Sequence, residues 1–366
     1  MLSIFIISII VILIFIEILN KRNSKINIEN ENIKRIPNLN INRTYTVSSK
    51  TGHSQNSKKD HELGWELEKD SHIKVNIKIP YVQNDMSVNY NLNDIGARSN
   101  VSKIANSNIE NYIGFFGCSI TYGHGLEEEE TFANQLIKKK QNFNYLNFAV
   151  PGYSSYQSLI KLKKIINQIK FDTIVLGIHN DLERRNTCSF SWSKIINNIW
   201  GIPSILSYKN TSIKFKPRYR YESKKNFISV KFFFEILNFI RFSIGSIKFV
   251  QKHTMKNILL NFKSICKKND IELVIICLEN YNSMYEFLSK NNFNWVASEL
   301  NLSEKDNNGE FIWQKMPWDN HPNEKANKIY AEKLFEFFES KQRPFVPNLK
   351  KRNSENSDQE YIYPLW

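Results

Sequence analysis

The stretch Gly114-Phe115-Phe116-Gly117-Cys118-Ser119-Ile120-Thr121-Tyr122-Gly123 sets the reading of the whole chain. Its first half, with Tyr112 and Ile113 before it, is an apolar run of strand length, as expected for a strand buried on both faces. Gly117 ends the run, so the backbone turns there and Ser119 is carried to the strand's carboxyl end. A serine held at such a turn is a candidate nucleophile.

Working outward, further apolar runs at 145–149, 173–178, 272–278 and, more faintly, 293–297 read as strands. Between them, 131–140, 155–169 and 249–268 read as helices, and 323–339 closes the domain. Strand–helix alternation of this kind predicts an α/β domain over 111–340 with a mostly parallel sheet covered on both faces. In such sheets ligands bind beyond the carboxyl ends of the strands. Ser119, Gly152 and Asn180 each fall just after a strand end.

At about 188–247 the alternation gives way to an aromatic, basic segment that includes Trp192, Trp200, Tyr219, Tyr221 and Phe232-Phe233-Phe234. It reads either as a lid or docking surface over the site or as a satellite hydrophobic cluster beside the sheet. Before the domain, 61–110 carries short alternating segments such as Ile73-Lys74-Val75-Asn76-Ile77, a β-containing preface. Residues 21–60 are polar and aperiodic, as in a flexible tether, and the proline-bearing tail 341–366 reads as irregular.

The chain has 366 residues, 41% of them hydrophobic, and a formal net charge of +14. Its lysines and arginines are spread among asparagine and isoleucine and form no stripe, so no nucleic-acid partner is expected. Residues Leu2–Leu19 are almost unbroken apolar sequence, about 27 Å long as a helix, which predicts a single membrane-spanning anchor over 1–20. No basic residue precedes this run and no small-x-small cleavage site follows it, which favours an anchor over a cleaved signal. Lys21, Arg22, Lys25, Lys34 and Arg35 follow the span and by the positive-inside tendency point the body to the cytoplasm. Cys118, Cys188, Cys266 and Cys277 lack metal-ligand spacing and read as free thiols.

A serine hydroxyl is a weak nucleophile until a base takes its proton, and imidazole is the usual base. His321, in Trp318-Asp319-Asn320-His321-Pro322, is the candidate base, with Asp319 as its orienting acceptor. The oxyanion formed on attack needs fixed donors: the backbone N–H of Ser119, the backbone N–H of Gly152 and the side-chain amide of Asn180. His124 and His179 read as packing or rim residues, and Glu127 to Glu130 as a solvated first helical turn. Cys118 is the weaker alternative nucleophile, because the residue directly after the strand points toward the core.

Gly-x-Ser-x-Gly would need glycine where Thr121 stands, so this is not an ordinary α/β-hydrolase elbow. Four blocks in order instead resemble the SGNH (GDSL-like) hydrolase family: Gly117-Cys118-Ser119-Ile120-Thr121-Tyr122-Gly123, Asn147-Phe148-Ala149-Val150-Pro151-Gly152, Gly177-Ile178-His179-Asn180-Asp181 and Asp319-Asn320-His321-Pro322-Asn323. Leu63-Gly64-Trp65 and Gly96-Ala97-Arg98 resemble the preface of membrane-anchored members. The resemblance implies a three-layer α/β/α sandwich, Ser119 as nucleophile, His321 as base, Asp319 as its partner and Gly152 and Asn180 in the oxyanion hole, with no metal or organic cofactor. Two departures stand out: Cys118 replaces the family's aspartate, and one residue rather than two separates Asp319 from His321.

The reading that follows is a membrane-anchored serine esterase or acyltransferase, acting on acyl groups of envelope or surface carbohydrate outside the cytoplasm. A lipid esterase or thioesterase, and an idle glycan-binding or assembly module on the same fold, are its rivals. Oligomeric state has no signal in the sequence.

Overall fold

Three apolar runs, Tyr112–Phe116, Phe171–Ile178 and Glu272–Cys277, lie side by side as the centre of a parallel sheet, and all but two of their residues are buried. Burial on both faces is why they carry no polar alternation. The structure is a computed structural model that describes residues 42–49, 57–60, 62–78, 86–99, 101, 112–140, 143–199, 205–209, 212–216, 239–314 and 321–340. The chain divides into two compact units, Met1–Arg43 with Ile77–Asp85 and Thr44–Asn76 with Met86–Trp366. The second unit holds the sheet and every site discussed below.

Strands β1 (Asn42–Ser49), β2 (Ser57–Asp60), β3 (Gly64–Leu67), β4 (Ser71–Lys78) and β5 (Met86–Leu92) come first. The main body follows as β6 (Tyr112–Phe116), α1 (Ser119–Tyr122), α2 (Phe132–Lys139), β7 (Asn144–Asn147), α3 (Ser155–Ile165) and β8 (Phe171–Ile178). After these come α4 (Leu182–Asn186), α5 (Phe190–Ile199), β9 (Ile205–Lys209), β10 (Ser212–Lys216), α6 (Lys248–Lys268), β11 (Glu272–Cys277), α7 (Asn282–Lys290), β12 (Asn294–Ala297) and α8 (Glu324–Ser340).

The main sheet runs β7-β6-β8-β11-β12, and every pairing in it is parallel. Counted along the main body, this is the order 2-1-3-4-5, whose direction of winding reverses between its first and third strands. Right-handed crossovers put the helix that follows β6 on one face and those that follow β7 and β8 on the other. The packing agrees: α2 lies against α8, whereas α3 and α4 lie against α6. Helix starts are set locally, Thr131 accepting from the Asn134 N–H for α2, and Ser154 and Gln157 forming a reciprocal box for α3.

The preface is built onto the main body. Arg98 exchanges two backbone hydrogen bonds with Asn147, of 3.1 and 2.8 Å, covering the β7 edge of the sheet. Lys161 on α3 pairs with Glu66 on β3 at 2.6 Å. The stretch expected as tether contains β1 and β2; in β1 the run Thr44-Tyr45-Thr46-Val47 has the β-branched and aromatic character that favours strand pairing. Of the aromatic insertion, α5 and the β9–β10 hairpin are described. Trp192 on α5 is buried, with the Arg185 guanidinium 4.5 Å from its ring centre, so this side chain packs as core. Trp200, Tyr219, Tyr221, Phe232-Phe233-Phe234 and the tail 341–366 lie outside the described residues. Among the described residues no helix is long and apolar enough to cross a membrane, and Leu2–Leu19 lies outside them.

Candidate active site

The turn that carries Ser119 is a packing solution. Gly117, at φ +155°, and Gly177, on β8, close from two sides on Thr121: a Cβ on either would stand 2.2 Å from its Oγ1. Only glycine at both positions lets Thr121 sink between the strands and tighten the turn into α1. Cys118 is then extended and wholly buried, and Ser119 opens the helix. Gly123, left-handed at φ 77°, closes that single turn, and His124 N–H donates back to the Ser119 carbonyl at 3.0 Å.

Ser119 Oγ and His321 Nε2 are 2.8 Å apart across 202 residues of sequence, and both side chains are buried. His321 lies three residues before the start of α8, whose entry is tied down by Asn323: its side chain accepts from Ala326 N–H at 3.1 Å and donates to the Ile312 carbonyl at 2.8 Å. One helical turn on, Asn327 accepts the Phe132 N–H at 3.1 Å, locking α8 to α2. The His124 and His321 rings meet in a T-shaped arrangement, ring centres 4.8 Å apart. Asp319 lies outside the described residues.

Gly152 and Asn180 sit where strand geometry predicts, beyond β7 and β8 on either side of β6. Phe116 is paired with Leu176 and Phe115 with Asn147, so β7 ends one residue short of β6 and β8 runs two residues past it. Neighbouring strands lie about 4.8 Å apart, which brings the three loops to one rim at the winding reversal. Gly152 is buried at φ +80°, and Asn180 is exposed.

Under this rim lies a buried polar layer. Cys118 Sγ is 3.2 Å from His179 Nε2, and His179 Nδ1 is 4.0 Å from Glu279 Oε1. Burial, and next the nearby Arg185, lower the His179 pKa to about 3, so this imidazole is neutral. Burial likewise raises the Cys118 pKa, Arg185 opposing it, so the thiol keeps its proton and is no rival to Ser119 at neutral pH. Glu279 accepts the Asn180 backbone N–H at 2.8 Å, and burial raises its pKa to about 7. Asp181, held by Arg184 and Arg185, stays ionised; burial works against this and the two guanidiniums outweigh it.

The loop after Ser119 is held by a fully buried guanidinium. Arg98 donates to Glu128 Oε2 at 2.7 Å and to the carbonyls of Tyr122, Gly123 and Leu126 at 2.9, 3.1 and 3.2 Å. It lies 5.0 Å from the ring centres of both Tyr90 and Tyr122. Glu128 therefore does not sit in a solvated helical turn: it belongs to a separate 3-10 turn, Glu128–Glu130, and faces Arg98. Tyr90 accepts the Gly125 N–H at 2.8 Å and lies 3.4 Å from His124 Nδ1. Arg98 stood out in the sequence only as part of Gly96-Ala97-Arg98; Tyr90 and Glu279 carried no signal, because their role depends on partners 30 to 100 residues away.

Among the described residues no group of three His, Cys, Asp or Glu side chains is placed to hold a metal ion. A cleft of about 500 Å³ lies at the opposite, amino edge of the sheet, among Asp172, Lys263, Glu272 and Phe293, away from Ser119.

No family model and no curated protein matches the chain. Solved structures do. A member of the lipolytic protein G-D-S-L family from Veillonella parvula is 12% identical, with 63% of this chain and 98% of that one covered and a TM-score of 0.37. A GDSL-like lipase from Bacteroides thetaiotaomicron is 12% identical, with 64% and 90% covered and a TM-score of 0.35. A two-domain esterase active on acetylated mannans is 12% identical, with 66% and 54% covered and a TM-score of 0.36. Likenesses this weak leave the site to be judged on its own atoms. Fold and site together define a doubly wound α/β protein with a buried serine–histidine pair at the carboxyl rim of its winding reversal.

Proposed function

We propose that the chain is an SGNH-type serine ester hydrolase that works through an acyl-Ser119 intermediate. The observation that carries this is the 2.8 Å approach of His321 Nε2 to Ser119 Oγ at the rim where Gly152 and Asn180 also lie. His321 takes the hydroxyl proton as Oγ attacks the ester carbonyl. The N–H groups of Ser119 and Gly152 and the Asn180 amide meet the developing oxyanion. His321 returns the proton to the leaving alcohol, and water or an acceptor hydroxyl then resolves the acyl-enzyme by the same route. Asp319 is the proposed partner of the His321 imidazole.

O-acyl groups on envelope or surface carbohydrate are the proposed substrate, with Leu2–Leu19 as the anchor and the catalytic body outside the cytoplasm. The support is the length of the apolar span and the chemistry of the site; the basic residues after the span argue for the opposite orientation, which protease accessibility in intact cells decides.

The test uses the full chain in detergent. It hydrolyses p-nitrophenyl acetate, Ser119→Ala abolishes this, and diethyl p-nitrophenyl phosphate labels Ser119 in the parent alone. Equal rates in parent and variant refute the nucleophile. A rate that climbs from acetyl to decanoyl esters favours the lipid esterase over the carbohydrate deacetylase.

A further inference from the structure

We infer that Trp65, on preface strand β3, is a positioning residue for the oxyanion donor at Gly152, an inference that rests on the nucleophile reading of Ser119. The Trp65 indole N–H donates to the Pro151 carbonyl at 3.0 Å, a buried bond across 86 residues. That carbonyl and the Gly152 N–H belong to one planar trans peptide unit, in which the two groups point opposite ways. Fixing the carbonyl toward Trp65 therefore fixes the direction of the N–H.

The peptide needs fixing because it is the central unit of a β-turn. Tyr153 N–H donates to the Val150 carbonyl at 3.0 Å, Pro151 is at the second position, and Gly152 at the third has φ +80°. This is the type II arrangement. Type I and type II differ by a flip of the central peptide, and a flipped unit would turn its carbonyl, not its N–H, toward the oxyanion. Only type II places the Pro151 carbonyl on the Trp65 side. A donor on that carbonyl also polarises the peptide and strengthens the N–H as a donor at its other end.

Around this bond the preface grips the same loop at other points. Tyr153 Oη donates to the Trp65 carbonyl at 2.7 Å, and Gln157 Nε2 donates to the Leu63 carbonyl at 2.7 Å. The two rings of Trp65 and Tyr153 meet edge to face, centres 5.6 Å apart. These contacts hold the loop in place but do not touch the Pro151 carbonyl, so they separate support from orientation.

The experiment compares the full-chain parent with Trp65→Phe and Tyr153→Phe in detergent on p-nitrophenyl acetate. Rates are expressed per serine titrated by diethyl p-nitrophenyl phosphate, so that misfolded protein does not count. Trp65→Phe is expected to lower kcat about tenfold with KM within twofold of the parent, and to weaken inhibition by phenylboronic acid, which forms a tetrahedral adduct on serine, by the same factor. Tyr153→Phe is expected to change kcat less than twofold. If Trp65→Phe does not accumulate, 3-benzothienylalanine inserted at position 65 keeps both rings and lacks the N–H. An unchanged kcat per titrated serine, or equal losses in the two variants, overturns the inference. A parent that is inactive, or as active as Ser119→Ala, overturns the nucleophile reading and the inference with it.

Discussion

Replacing Arg98 by methionine tests whether the loop beside the site depends on one buried charge. The side chain is wholly buried and supplies four hydrogen bonds, one to Glu128 and three to the carbonyls of Tyr122, Gly123 and Leu126. Burial alone would lower its pKa, but the Glu128 carboxylate, with Tyr122 and Tyr90, outweighs this and raises it above its ordinary value, so the guanidinium remains charged. Methionine keeps the apolar stem between Tyr90 and Tyr122 and leaves four acceptors without their donor. Removing one member of a buried pair costs about 3–5 kcal/mol, which in a body of this size lowers Tm by roughly 10 °C. Because Glu128 is 18% exposed, Glu128→Gln leaves the guanidinium its three carbonyls and costs only about 1–2 kcal/mol. Urea unfolding followed by tryptophan fluorescence, at low and at high salt, measures both. The Arg98→Met loss is expected to be insensitive to salt, since buried pairs are poorly screened. A loss under about 1 kcal/mol, or one erased by salt, would refute the view that this guanidinium organises the loop.

Two further outcomes are expected. Glu279, with a folded pKa raised from 4.5 to about 7, retains a proton between those values that the unfolded chain has released. Stability therefore falls as pH rises through that window, by up to about 3 kcal/mol, and Glu279→Gln flattens the fall; urea midpoints at pH 5 and pH 8 that shift equally in parent and variant would contradict this. Gly177→Ala pushes a Cβ to 2.2 Å from Thr121 Oγ1 and is expected to cost about 1–3 kcal/mol. Because Thr121→Ala removes that oxygen, the double variant should be more stable than the sum of the single losses predicts, and simple additivity in thermal melts would count against the packing account.

Much of the main domain was legible because its signals are local. Apolar runs at 112–117, 173–178 and 272–278 need only neighbouring residues to declare a buried strand, and the strands end within two residues of those bounds. The boundaries of α6 and α8 were likewise readable to within a residue from their periodicity. Two elements were not: α1 is a single turn set by the Thr121 packing between two glycines, and β1 lies in a polar stretch and pairs with β4, beyond β2 and β3 in the chain.

From the sequence alone came the strand–helix alternation, the placing of Ser119, Gly152 and Asn180 after strand ends, and His321 as the candidate base. Tertiary structure alone decided that Ser119 and His321 meet, that the inward-facing Cys118 lies against a neutral His179, and that Arg98 and Trp65 of the preface reach into the loops around the site. The physical reason is one of range. Strand and helix patterns are set by residues a few positions apart, whereas a hydrogen bond across 86 or 202 residues exists only once the chain has converged.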